Sequence, residues 1–156
     1  MKRFLLLFLA TVVTAWSASA QLSVSQLRTE HLTDPVGIGE RRPLLSWEVS
    51  DASRRGVTQS AYEIRVKSGG RTVWRTGKVA SAESAGVFYD GTPLTSDTRY
   101  TWQVRVWDDR GKASAWSRPA FWRTGLFDIG EWQARWIEPA VSDDLAAMFR
   151  RAFRVT

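Results

Sequence analysis

The 156-residue chain has no cysteine. That absence excludes a disulfide framework and a thiolate metal site, and it removes the acylated cysteine that anchors a bacterial lipoprotein. His31 is the only histidine. It has no thiolate to join it and no carboxylates at ligand spacing, and no nucleophile elbow for it to serve as a base. It reads as a partly exposed strand or loop residue. Gly69-Gly70 lacks the P-loop pattern and reads as hairpin chemistry. The adjacent acids Asp108-Asp109 and Asp143-Asp144 fall in polar loops among Arg, Gly and Ser. A glycosidase needs acids held apart across a cleft, and a calcium loop needs more oxygens at set spacing, so both pairs read as solvated turn residues. The chain is therefore expected to carry no catalytic, cofactor-binding or metal-ligating residue.

A strong charge bias is missing too. The formal charge is +6, but Lys2 and Arg3 belong to a leader, and the other cations are interspersed with Asp and Glu in runs such as Glu63-Ile64-Arg65-Val66-Lys67. A nucleic-acid footprint needs clustered positive charge or a reader fold, so nucleic acid is not an expected partner. Residues 1–20 have secretory anatomy: Lys2 and Arg3, an apolar stretch from Phe4 to Val13, then Ala18-Ser19-Ala20. A spanning helix needs roughly 20 apolar residues, and this run is shorter. Cleavage before Gln21 is expected, with the product in the periplasm or outside the cell and no membrane contact after cleavage.

What the chain does have is aromatics in alternation, including nine tryptophans. Tyr100, Trp102, Val104 and Val106 alternate with Thr, Gln and Arg, which puts one strand face in a core and the other toward solvent. Tyr62-Glu63-Ile64-Arg65-Val66-Lys67 and Leu45-Ser46-Trp47-Glu48-Val49 follow the same rule, so Trp47, Tyr62, Tyr100 and Trp102 are core candidates. Lys67 to Arg71 predicts a hairpin leading into Thr72 to Thr76. Asp90-Gly91-Thr92-Pro93 and Asp108 to Lys112 are turns. A sustained helical period is absent from Gln21 to Gly125. Short strands with short gaps predict an all-β, immunoglobulin-like or fibronectin type III-like sandwich of about seven strands over residues 21–125.

Composition shifts at Gly125. Residues 126–145 read as an aromatic-rich connector, with Trp132, Trp136 and Ile137 packing at a domain junction. Residues 146–156, from Met148-Phe149-Arg150-Arg151-Ala152-Phe153 onward, read as the truncated start of a second β-sandwich, because a final strand without a partner leaves its ladder hydrogen bonds unmade. The expectation is that the sequence is the front of a longer protein.

Leu94 to Tyr100 followed by Trp102, Val104 and Val106 resembles the tyrosine corner of fibronectin type III domains, and Ser114-Ala115-Trp116-Ser117 resembles the tryptophan-serine signature of related sandwiches. A wider resemblance runs through Leu27-Arg28-Thr29-Glu30, Arg42-Pro43-Leu44-Leu45-Ser46-Trp47 and Gln59-Ser60-Ala61-Tyr62. It continues through Trp74 to Val79, Tyr100 to Asp108, Ala115-Trp116-Ser117, Trp122 to Leu126 and Trp132 to Ile137. In this order they resemble the amino-terminal region of bacterial family 78 α-L-rhamnosidases. The resemblance implies a fibronectin-like module ahead of a second sandwich and an α/α-barrel. The barrel would remove terminal α-L-rhamnose with inversion, using an acid and a base that lie outside this chain.

The expected role is thus a non-catalytic module of an exported α-L-rhamnosidase that supports or positions later domains of the same polypeptide. The alternative is a stand-alone carbohydrate-binding or adhesion module for rhamnose-containing glycans. Trp74 and Trp107 fall outside a clean core phase, which leaves them open to a sugar ring or to a neighbouring domain. Trp116 is placed to stack with Arg105 as a structural contact.

Overall fold

The computed structural model describes residues 22–137 and 148–154. Nine strands form two sheets: β1 (Ser23–Thr29), β2 (Val36–Ile38), β3 (Leu44–Ser50), β4 (Gln59–Ser68), β5 (Arg71–Arg75), β6 (Val79–Ala80), β7 (Val87–Phe88), β8 (Arg99–Asp108) and β9 (Ala120–Thr124). One sheet has the order β1-β3-β7, and the other β2-β9-β8-β4-β5 with β6 also paired to β4. All pairings are antiparallel except β2 with β9. The chain is an all-β immunoglobulin-like sandwich.

The alternation seen in the sequence sets the inner faces. Tyr62, Ile64 and Val66 of β4 oppose Val106, Val104 and Trp102 of β8. From the other sheet, Leu45 and Trp47 complete the same buried cluster. All four aromatic core candidates are buried: Trp47, Tyr62, Tyr100 and Trp102. Trp47 meets Tyr62 edge-on at 5.3 Å and donates its indole N–H to the Gln59 side chain at 3.0 Å, so its polar atom is satisfied inside the core. Tyr100 stacks on Trp122 at 5.4 Å, directly across the β8–β9 ladder.

Two corners are built by local chemistry. Gly69 and Gly70 both take positive φ, 54° and 79°, which a two-residue hairpin turn requires between β4 and β5. At the corner before β8, the Thr95 N–H donates to the Tyr100 hydroxyl at 3.0 Å, tying the turn to the core. Gly91 marks a close approach: a methyl group there would stand 2.5 Å from both Trp74 Cβ and the Tyr89 hydroxyl.

Asp108 corrects one expectation. It is buried at the end of β8 instead of solvated, and its Oδ1 accepts the backbone N–H groups of Arg110 (2.9 Å) and Lys112 (2.8 Å). These hydrogen bonds, the Lys112 one first, outweigh the cost of burial and hold its carboxyl below the ordinary range. Asp109 is exposed and pairs with Arg54. Asp143 and Asp144 lie outside the described residues. His31 sits exposed in the loop after β1.

Candidate functional site

Two regions gather the tryptophans that the sequence singled out beyond the core. The first is the exit of the chain from the sandwich. After β9, the Gly125 N–H donates to Ile38 O at 2.8 Å, and the Phe127 N–H donates to the Ser96 hydroxyl at 3.0 Å. That hydroxyl in turn donates to Glu131 at 2.8 Å. Arg41 lies over the Phe127 ring at 4.6 Å and bonds Asp128 at 3.3 Å. A 3-10 turn over Ile129–Glu131 completes this root. The chain therefore leaves the sandwich along a course held by these bonds as far as residue 131.

Beyond that turn the apolar side chains emerge into solvent. Trp132 is 60% exposed, Trp136 fully exposed, and Ile137 69% exposed. Met148, Phe149 and Phe153 are exposed as well. Trp132, Trp136, Ile137 and Phe149 line an apolar hollow of about 380 Å³ with Ala134 and Arg135. The same chain buries Trp47, Trp102 and Trp122 and packs Trp74 against its core, so the tryptophans in the open here contrast with those of the sandwich.

The second region is the outer face of the larger sheet. Ala61, Glu63, Arg65 and Lys67 of β4 pair with Trp107, Arg105, Gln103 and Thr101 of β8, so all eight share that face. Arg105 lies 5.0 Å from the Trp107 ring and 4.9 Å from the Trp116 ring. Lys78 covers Trp107 at 4.7 Å and Arg65 covers Trp116 at 4.2 Å. Beneath this ladder Glu63, 3% exposed, binds Arg75 at 2.6 Å and Arg105 at 2.6 Å. Burial alone would raise the Glu63 carboxyl, but the two guanidinium groups outweigh it and hold it below the ordinary range.

The tryptophan-serine segment holds the ladder in place. Ser114 and Ser117 accept the N–H groups of Val106 (3.0 Å) and Val104 (3.1 Å) through their hydroxyls. Their own backbone N–H groups donate to the carbonyls of the same two residues, at 2.8 and 2.9 Å. Three residues of this segment thus span two of β8, and the hydroxyls fill the ladder positions that the mismatch would leave empty. Trp116, between them, is carried over Arg65 and Arg105.

The structure separates Trp74 from Trp107. Trp74 pairs with the inward-facing Val66, packs against the core and meets Tyr89 edge-on at 5.0 Å. Trp107 lies on the opposite side of the sheet between cations. The irregularity between Val66 and Lys67 in the β4–β5 pairing shifts the register, which hid the inward phase of Trp74 in the sequence. Among the described residues no group of three His, Asp or Glu is placed to hold a metal ion.

Comparison with known proteins agrees with this architecture. Residues 24–128 match the family model described as Rha78A-like, N-terminal immunoglobulin domain. An α-L-rhamnosidase of Streptomyces avermitilis is 44% identical over 121 residues, which cover 74% of this chain and 12% of that protein. One from Formosa agariphila is 39% identical over 67% of this chain and 12% of that protein. The crystal structure of the Streptomyces avermitilis α-L-rhamnosidase complexed with L-rhamnose superposes with a TM-score of 0.73 over 76% of this chain and 12% of its own. That of the Dictyoglumus thermophilum α-L-rhamnosidase gives 0.70 at 33% identity, over 74% and 14%. The chain spans about one eighth of the length of these relatives.

Proposed function

Because the chain belongs to the family of Rha78A-like N-terminal immunoglobulin domains, we propose that it is the non-catalytic leading module of an exported α-L-rhamnosidase, docked to later domains of the same polypeptide through Trp132, Trp136 and Ile137. The parent would release terminal α-L-rhamnose with inversion, by an acid and a base outside this chain. The observation that carries the docking role is the contrast between the rooted exit and the residues beyond it. Ser96, Arg41 and Glu131 fix the course of the connector, and past them three large apolar side chains stand in solvent. Packing them against a neighbour would bury surface at about 25 cal/mol per Å². Export is supported by the leader pattern of residues 1–20.

The test is made on the protein expressed from its complete reading frame. It should hydrolyse an aryl α-L-rhamnoside, with the β-anomer appearing first by NMR, whereas the 156-residue chain alone should release nothing. Release by the chain alone, or a reading frame with no hydrolase activity, would overturn the proposal. Recovery of the exported protein with Gln21 at its amino terminus tests the leader; an intact Met1 would refute it.

A further inference from the structure

The sequence disperses its positive charge, but the register of the sheet collects it. Arg65 and Lys67 of β4, Arg75 of β5, Arg99 and Arg105 of β8, and Lys78 before β6 all lie on the outer face of the larger sheet. Glu63 on this face is buried beneath Arg75 and Arg105, and at its β9 edge Arg123, opposite Arg99, is neutralised by the exposed Asp97 at 2.8 Å. The outer face of the smaller sheet is different: Ser46, Glu48 and Ser50 of β3 oppose Arg28, Ser25 and Ser23 of β1, so it carries one cation and one exposed carboxylate. The charge asymmetry is therefore a property of one face, and it extends along β8 from Arg99 to Arg105, about 20 Å at 3.4 Å per residue.

Shape and aromatic placement narrow the partner. Single-stranded nucleic acid stacks its bases on free aromatic faces, and duplex reading needs an element that enters a groove. Here Trp107, Trp116 and Phe121 are covered by Lys78, Arg65, Arg105 and Arg99, the last at 3.9 Å from the Phe121 ring, and the face is the surface of a sheet. Arg65 spends Nε and Nη2 on Gln103 Oε1, and Arg105 spends Nε and Nη2 on Glu63, so among the described residues the cations of this face left to meet carboxylates spaced along a chain are Arg99, Lys67 and Lys78. From this we infer that the outer face of the larger sheet is a binding surface for an acidic polysaccharide, whose uronate carboxylates pair with Arg99, Lys67 and Lys78. This goes beyond the docking role, which uses Trp132, Trp136 and Ile137 and none of these cations.

Calorimetry on the full chain with polygalacturonate tests it, beside the methyl-esterified polymer and a single-stranded oligonucleotide of similar charge. Polygalacturonate should bind and weaken steeply with salt, and the ester should not bind. The triple variant Lys67→Gln, Lys78→Gln, Arg99→Gln removes three charges from that face and should lose about tenfold in affinity. A control triple, Arg28→Gln, Arg55→Gln, Arg110→Gln, removes the same charge elsewhere and should bind as the parent does. Equal loss in both triples would reduce the effect to net charge and overturn the inference. So would binding of the ester, or an oligonucleotide bound as tightly as the uronate. Rhamnosidase activity of the complete protein is read separately, so failure of one reading leaves the other standing.

Discussion

Arg105 grips the buried carboxylate of Glu63 from the neighbouring strand, with Nη2 at 2.6 Å and Nε at 2.8 Å from Oε2. Arg75 holds the other oxygen from the far side. One carboxylate therefore links three strands and sets the height at which Arg105 meets Trp107 and Trp116.

The first prediction rests on that carboxylate's charge. The Glu63 carboxyl is held below the ordinary range in the folded protein, so its pairing stabilises the fold fully above its unfolded pKa of about 4.3. That contribution is lost as pH falls through the lower folded value. Glu63→Gln should cost about 2 kcal/mol in urea unfolding at neutral pH, and the gap from the parent should close in acid. A gap that stays constant below about pH 4 would show that the carboxylate charge is not what matters.

At the corner before β8, Tyr100→Phe removes only the hydroxyl that accepts the Thr95 N–H. It keeps the stack on Trp122. The expected cost is about 1–2 kcal/mol, measured as a lower thermal midpoint with unchanged near-ultraviolet circular dichroism.

The serine ladder makes a sharper claim. Ser114→Ala with Ser117→Ala leaves the N–H groups of Val106 and Val104 without their hydroxyl acceptors in a buried setting. About 1–3 kcal/mol should be lost for each. Hydrogen exchange at those two amides should accelerate while β4 amides remain protected. Uniform acceleration would mean that the segment is no separate unit.

Gly91→Ala tests packing without changing any charge. The added methyl meets Trp74 Cβ and the Tyr89 ring, neither of which is the tip of a flexible chain. A loss of about 1–3 kcal/mol is expected, as for overpacked cores, and Trp74→Phe should not relieve it, because the clash is with Cβ.

At the exit, Trp132→Ala with Trp136→Ala in the complete protein should speed proteolysis near Gly130 without altering the melting of this domain, since both side chains are exposed in it. Unchanged cleavage would count against docking.

The fold was legible where burial is one-sided. Tyr100 to Val106, Tyr62 to Lys67 and Leu45 to Val49 alternate because each strand has one wet face, and the Gly69-Gly70 hairpin needs two positive φ angles that glycine supplies. β1 did not announce itself, since its register slips between Ser25 and Arg28 and Gln26 takes φ 50°. β2, β6 and β7 are two or three residues long, too short for any period to show. The aromatics of the exit were visible by composition alone. The clustered cations were not, because Glu63-Ile64-Arg65-Val66-Lys67 looks mixed along the chain and becomes one-sided only when β8 is laid beside it. Asp108 likewise reads as a turn residue until its carboxylate is seen closing the turn from inside.

The root formed by Ser96, Arg41, Phe127 and Glu131 also decides how the module carries load. Tension on the carboxyl-terminal side reaches the Ser96–Glu131 and Arg41–Asp128 bonds before it reaches β9. Beneath them, β9 is flanked by β8 on one edge and β2 on the other, so a pull must shear two pairings at once. The domain thus meets force first at its outer ties, and the Tyr100–Trp122 stack across the β8–β9 pairing lies behind them.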